Sequence, residues 1–342
     1  MACSELIILD VGHGNCAIIK NGTDAVIIDA PGRPIVSRVL DELGITSVHA
    51  LVVSHADSDH LSGTIPILLD PSRLVKAVYV NPDNRKTATW RQFRIAATEA
   101  RKVRGTLVHT SLNLQDPGEI SFSDTKLRVL SPTPEVCLAT SDGIHIDGVR
   151  NDANTMSAVV LVEHAGENIC LLAADSGYQS LENMIQEKAN MKAQLLVFPH
   201  HGGNVGGASD NKAFAKRLIA AVEPEVVIFS IGRGSHGTPR PEIVSGVREG
   251  MSGRSPYIAC TQLSKHCAAT APKSGRLLNK HSEGLVKEAC CAGTVTWHLA
   301  KDGLKIFTDE LNRTHNTFVV NEVPDALCRR YFGPMPVNVI GP

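Results

Sequence analysis

The run His49-Ala50-Leu51-Val52-Val53 ends in Ser54-His55-Ala56-Asp57-Ser58-Asp59-His60, and this junction limits the folds open to the chain more than any other stretch of it. Leu51, Val52 and Val53 have the unbroken apolar character of a short strand covered on both faces of its sheet. Directly behind them come four metal-ligating side chains in six positions, spaced His-x-Asp-x-Asp-His. A strand that stops and releases imidazoles and carboxylates into one loop aims several of them at one point. An ordinary core cannot hold such a cluster, because a buried charge needs a partner or a cation. A solvated polar loop is the plain alternative; the number and order of the ligands favour a metal site.

The same pattern recurs along the chain. Leu6–Val11, Ala17–Lys20 and Ala25–Asp29 read as strands, the last two joined through Asn21-Gly22, so the chain opens as an antiparallel meander. Periodicity predicts helices over 34–43, 62–69, 87–103, 180–188 and 211–222, and strands over 75–80, 126–130, 157–163, 168–174, 193–198, 225–230 and 304–307. Four strand ends then carry polar side chains: His55 to His60, Asp175, the pair His200 and His201, and His236. Two strand–helix halves facing each other make an α/β fold, a four-layered αββα sandwich. A net charge of −1 excludes a chain drawn to nucleic acid or anionic membrane by its overall field. No apolar run reaches the ~18–20 residues that span a bilayer. Met1 leads almost directly into a strand, without the features of a secretory leader, so a cytoplasmic protein is expected. Nine cysteines, an odd number, speak against a disulfide framework.

The opening Leu9-Asp10-Val11-Gly12-His13-Gly14-Asn15-Cys16, the His55–His60 loop, Asn154-Thr155-Met156-Ser157, Ala174-Asp175 and His200-His201-Gly202-Gly203 follow in an order that resembles the metallo-β-lactamase superfamily. Within it the chain closely resembles the metallo-β-lactamase domain of the competence protein ComEC and its soluble relatives, over roughly residues 4 to 250. The resemblance implies two divalent metal ions, zinc or manganese. By position it makes His55, Asp57, Asp59 and His60 metal ligands, Asp175 the bridging carboxylate, and His200 or His201 the last ligand. Asp59, His201 and His236 are the residues expected to take part in catalysis, and His13, Asn15, Arg91 and Arg94 those expected to contact substrate. Three departures stand out. His13 and Asn15 occupy positions where these relatives carry Gln and Asp. The third-motif histidine is missing, with Asn154 or Asp152 nearest its place. His236-Gly237-Thr238-Pro239 replaces a Tyr-Gly-His-Pro sequence.

The residues permit a chemistry that can be stated without the family. Mixed imidazole and carboxylate ligands suit zinc, manganese or iron. Two ions about 3.5–4 Å apart can hold a bridging hydroxide and stabilise both attacking and leaving oxygens. No Gly-x-Ser-x-Gly elbow and no Gly-Lys-Ser/Thr phosphate loop competes for the role. The reading is a metal-dependent hydrolase using a metal-bridged hydroxide on a phosphodiester, in nucleic acid or a nucleotide. Lactone, thioester and phosphocholine esters stand as alternative substrates. A non-catalytic, metal-stabilised binding or regulatory module is the competing class, prompted by the missing histidine and by Asn15. The basic helix over 87–103 is either a phosphate-tracking face or a solvated surface. No membrane partner is expected, and any protein partner is unspecified.

Residues 1–258 are expected to form the hydrolase core, 259–293 a Cys/His-bearing insertion at a strand-turn-strand, and 294–342 a strand and tail that complete the core. Cys260, Cys267, Cys290 and Cys291, with His266 as a spare ligand, either close on a structural zinc or pack as reduced thiols beside a basic loop.

Overall fold

The structure, a computed structural model, describes residues 4–139, 145–146, 149–205, 210–272, 281–300, 303–304 and 312–329. The first half of the chain supplies β1 (Ser4–Ile8), β2 (Ala17–Asn21), β3 (Asp24–Ile28), β4 (Ser47–Val53), β5 (Leu74–Val75), β6 (Ala77–Val80), β7 (Leu107–His109), β8 (Glu119–Phe122) and β9 (Thr125–Ser131). Next come β10 (His145–Ile146), β11 (Val149–Arg150), β12 (Val159–His164), β13 (Glu167–Leu172), β14 (Leu195–Val197), β15 (Val226–Phe229), β16 (Tyr257–Cys260), β17 (Val295–Ala300) and β18 (Gly303–Leu304).

Two sheets hold most of these strands. One is ordered β18-β17-β1-β2-β3-β4-β6-β7, with β5 also on β4; the other is ordered β16-β15-β14-β13-β12-β9-β8. The antiparallel opening meander is present, with Ile18 opposite Ile7 and Ile27. From β3 through β4 and β6 to β7 the first sheet runs parallel, as the second does from β13 to β16.

Alternation along each strand builds the layers. Leu6, Ile8, Ile19, Val26 and Val52 of the first sheet meet Val129, Val160, Val197 and Ile228 of the second in one core between the sheets. The intervening residues, such as Ile7, Ile18, Ile27, Leu51 and Val53, face helices Pro34–Glu42, Thr64–Leu69 and Ala88–Arg104. On the far side Leu161, Leu171, Leu196, Val227 and Phe229 face helices Tyr178–Gln186, Asn211–Val222 and Pro241–Glu249. Both faces of each sheet are therefore apolar, which is why the strands read as continuous hydrophobic runs. This is the αββα sandwich expected from the sequence.

Several elements differ from expectation. The helix predicted over 62–69 is two short helices, Ser58–Leu61 and Thr64–Leu69, so Asp59 and His60 lie in a helical turn and not in a loop. Strands β7 and β8 and the helix Pro241–Glu249 were not anticipated. β16 and β17 lie in different sheets, so the segment that joins them is not the tip of a strand-turn-strand. Of the strand predicted over 304–307, residues 305–307 lie outside the described residues.

Candidate metal centre

Strands β1, β3, β4, β13, β14 and β15 all end at the same edge of the sandwich, the edge where open parallel sheets place their ligands. His55 and Asp57 follow β4, and Asp59 and His60 lie in the short helix Ser58–Leu61. Asp175 follows β13, and His200 and His201 follow β14. The ligand atoms of Asp59, His60, Asp175 and His201 all lie within 4.8 Å of one another. Asp175 Oδ1 stands 3.2 Å from His60 Nε2 and 3.5 Å from His201 Nε2. Asp59 Oδ2 stands 3.3 Å from His201 Nε2 and 3.9 Å from His60 Nε2.

The far ring nitrogens fix how these imidazoles face. His60 Nδ1 donates to Asp29 Oδ2 at 2.7 Å, and His201 Nδ1 donates to the Ser230 carbonyl at 2.8 Å. His55 Nδ1 lies 3.0 Å from both Ser54 Oγ and Ser157 Oγ. Ser54 commits its one hydroxyl proton to Asp29, so toward His55 it can only accept. Each Nδ1 thus carries a proton, and each Nε2 is the ring nitrogen turned inward. A metal-binding histidine is held in this way by an acceptor behind it. His55 Nε2, His60 Nε2, His201 Nε2 and Asp175 Oδ1 are buried and make no properly directed hydrogen bond. Buried polar atoms are otherwise almost always paired, so this set fits a cation.

The electrostatics agree. Burial opposes ionisation of Asp175, yet the His60 and His201 imidazoles hold its carboxyl well below the usual range. Asp59 is likewise lowered against burial by His201 and His60. Burial disfavours a charge on His60, but Asp175 and Asp29 outweigh it and raise the imidazole. Both carboxylates are thus held ionised, the form that binds a cation.

Backbone strain gathers at the same edge. Asp29, Ala174, His200, His201 and His236 all adopt left-handed φ between 46° and 59°, a conformation that non-glycine residues hold only where surrounding structure imposes it. At Gly14 (φ 126°) a Cβ would overlap the Asp59 carbonyl and press on Pro31. Gly14→Ala is therefore expected to lower stability by about 1–3 kcal/mol and displace Asp59. A lower midpoint in urea together with weaker metal retention would register both effects.

The remaining expected residues fall in different places. His13 Nε2 lies 3.3 Å from Asp59 Oδ2, and burial and neighbouring His201 push its pKa down to about 4. His236 is exposed, its ring centroid 4.6 Å from that of His13. Asn15 is buried beside Asp29 in the wall of a small cavity between the sheets. Asp152 accepts from the amide and hydroxyl of Thr155 in a local turn, and the Asn154 carbonyl accepts from the Ser157 amide; neither side chain is hydrogen-bonded or ion-paired to the cluster. That segment instead contributes Ser157, behind His55 and under the Asp175 amide. Arg91 and Arg94 are exposed on the solvent face of their helix, away from the recorded contacts of the cluster; the arginine that reaches it is Arg85, whose Nη1 pairs with Asp57 Oδ1. His55 and Arg85 together hold the Asp57 carboxyl down at about 2 in spite of burial.

The cysteines of this segment divide between two places. Cys260, Cys267 and Cys291 line a small apolar cavity together with Cys328, whereas Cys290 Sγ faces Asp10 Oδ2 at 3.8 Å. His266 contacts the Gly237 carbonyl. Among the described residues the group around Asp59 and Asp175 is the tight cluster of potential metal ligands.

Asp29, Ser54 and Arg85 were missed as parts of the site. Asp29 had a sequence signal, a lone carboxylate closing the apolar run Ala25–Ile28. Arg85 had none, being one of several basic residues in a stretch that also holds Lys86, Arg91 and Arg94.

Residues 9–129 match the family model of the metallo-beta-lactamase superfamily, about a third of the chain. No curated protein matches the chain. Among solved structures the chain is similar to the metallo-beta-lactamase fold protein YhfI from Bacillus subtilis, at 15% identity and a TM-score of 0.47, covering 76% of this chain and 97% of that one. It is also similar to Igni18, a metallo hydrolase from the archaeon Ignicoccus hospitalis, at 15% identity and a TM-score of 0.41, covering 70% and 85%. A diphosphatase from the PhnP family aligns at 12% identity and a TM-score of 0.40, covering 72% and 81%. None of these likenesses bears on the chemistry of the chain. No helix among the described residues is long and apolar enough to cross a membrane.

Proposed function

We propose that the protein is a metal-dependent hydrolase of phosphodiesters, in nucleic acid or nucleotides. One observation carries the reading: His55, His60 and His201 each have Nδ1 tied back and Nε2 turned inward, toward carboxylates held ionised. Asp59, His60, Asp175 and His201 would hold a divalent ion, zinc or manganese. Such an ion supplies Lewis acidity and, for zinc, a water whose pKa falls to about 7.

The protein's own groups do the rest. His13, with its pKa near 4, stays neutral at neutral pH and can accept or donate a hydrogen bond above Asp59. His236 stands beside it at the exposed rim, where a leaving group would depart. Arg85 is anchored through Nη1 on Asp57 and Nε on Asp83, and its Nη2 has no acceptor among the described residues. A fixed guanidinium beside the site favours an anionic ester over a lactone or thioester. The motif order supports the ComEC-like branch, and with it nucleic acid and a cytoplasmic setting. On this reading 1–258 and 294–342 form the hydrolase core and 259–293 an insertion.

The test is turnover of bis-p-nitrophenyl phosphate by the full chain loaded with zinc or manganese. Activity is expected to fall to background after chelation and dialysis and to return with the metal. Metal-loaded protein that hydrolyses a lactone or thioester but no phosphodiester would overturn the substrate class. Inertness toward all three would leave a binding or regulatory module.

A further inference from the structure

The sequence lacks a third-motif histidine, and the segment expected to replace it places neither Asp152 nor Asn154 in recorded contact with the cluster. Two further imidazoles, His55 and His200, face Asp175 from outside the tight cluster. His200 and His201 are consecutive residues with left-handed backbone, φ 51° and 56°. Two such residues in a row turn the chain sharply, and their imidazoles address opposite oxygens of one carboxylate. His201 Nε2 lies 3.5 Å from Asp175 Oδ1, and His200 Nδ1 lies 3.5 Å from Asp175 Oδ2.

Asp175 Oδ2 has a second neighbour, His55 Nε2, at 3.9 Å. His55 Nε2 in turn lies 3.2 Å from Asp57 Oδ2, while the other oxygen of Asp57 is taken by Arg85. Asp57 Oδ2, His55 Nε2, Asp175 Oδ2 and His200 Nδ1 thus form a chain of donors, each within 4 Å of the next. Ligands on one ion at about 2.0–2.2 Å sit near such separations from each other. His55 Nε2 is buried without a properly directed hydrogen bond, and Ser54 and Ser157 fix the ring from behind. Arg85, paired with Asp57 and anchored on Asp83, plays the corresponding part for the carboxylate.

We infer that His200 replaces the missing third-motif histidine, completing with His55, Asp57 and Asp175 a second metal position that shares Asp175 with the first. The inference rests on the proposed metal centre. These donors are spread more widely than the cluster of Asp59, His60, Asp175 and His201, so the second ion binds more weakly than the first. His200 itself is 31% exposed, and its loss opens no core.

Manganese titration of the full chain, read by calorimetry, elemental analysis and electron paramagnetic resonance, tests this. Wild type is expected to take up two ions in unequal steps and to give the spectrum of a coupled pair. His200→Ala is expected to keep the first ion, lose at least about tenfold in affinity for the second, and show the six-line spectrum of isolated manganese. Asp152→Ala and Asn154→Ala should bind as wild type does. Two ions at wild-type affinity in a folded His200→Ala protein would overturn the inference. So would a second ion lost from Asp152→Ala or Asn154→Ala, or wild type that saturates at one ion. Wild type that binds none would strike the metal centre itself.

Discussion

An Asp175→Ala protein is expected to purify folded but nearly free of metal, and to lose metal-dependent turnover. Asp175 Oδ1 faces His60 and His201, and Oδ2 faces His55 and His200. The other carboxylates near the cluster address fewer imidazoles. Changes behind a metal ligand typically cost ~10–100-fold in affinity, and removing the shared ligand should exceed that. The fold tolerates the change because His60 and His201, whose pKa values Asp175 helps to raise, can shed a proton once that anion is gone. Elemental analysis beside turnover reads the outcome. Metal retained at the wild-type level would place the centre elsewhere in the chain.

The second large effect falls on a residue that touches no metal. Asp29 is buried, and its carboxylate accepts from the Ser54 amide, the Ser54 hydroxyl and His60 Nδ1. Asp29→Ala leaves those donors buried and unsatisfied at about 1–3 kcal/mol each, so a total loss of several kcal/mol is expected in urea unfolding. It also frees the ring of His60, for which a further ~10–100-fold drop in metal affinity is expected. Asp29→Asn should recover much of the stability, since an amide oxygen still accepts, while leaving metal binding impaired. Equal metal affinity in Asp29→Ala and wild type would show that His60 needs no carboxylate behind it.

Which parts of this site were legible beforehand follows from how each residue is used. His55, Asp57, Asp59, His60, Asp175 and the His200-His201 pair stand at strand ends as polar breaks in apolar runs, so periodicity exposed them. The αββα layering followed from the same alternation. Arg85 could not be singled out, because its position beside Asp57 depends on how the chain returns after β6 and not on any local pattern. Asp152 and Asn154 drew attention by sequence position, while the working side chain was Ser157, whose hydroxyl carries no signal of its own. Cys290 misled for a related reason. Adjacent residues at a turn point apart, and only Cys291 lines the apolar cavity. The double histidine escapes that rule through its left-handed backbone, which no spacing argument anticipates.

Asp10 bears on the order in which the molecule can be assembled. Its amide donates to Thr294 Oγ1, and its carboxylate accepts from Gln262 Nε2 and the Gly284 amide, while the strand before it pairs with β17. One neighbour of the first strand, β2, is made at once, but the partners on its other side come much later: 284 positions separate Asp10 from Thr294. At the ~5–20 residues per second of synthesis, a nascent chain holds its opening strand and the His13 loop without these partners for roughly a quarter of a minute to a full minute. These contacts of Asp10 therefore form only after the ligand-bearing strands β4, β13 and β14 have emerged.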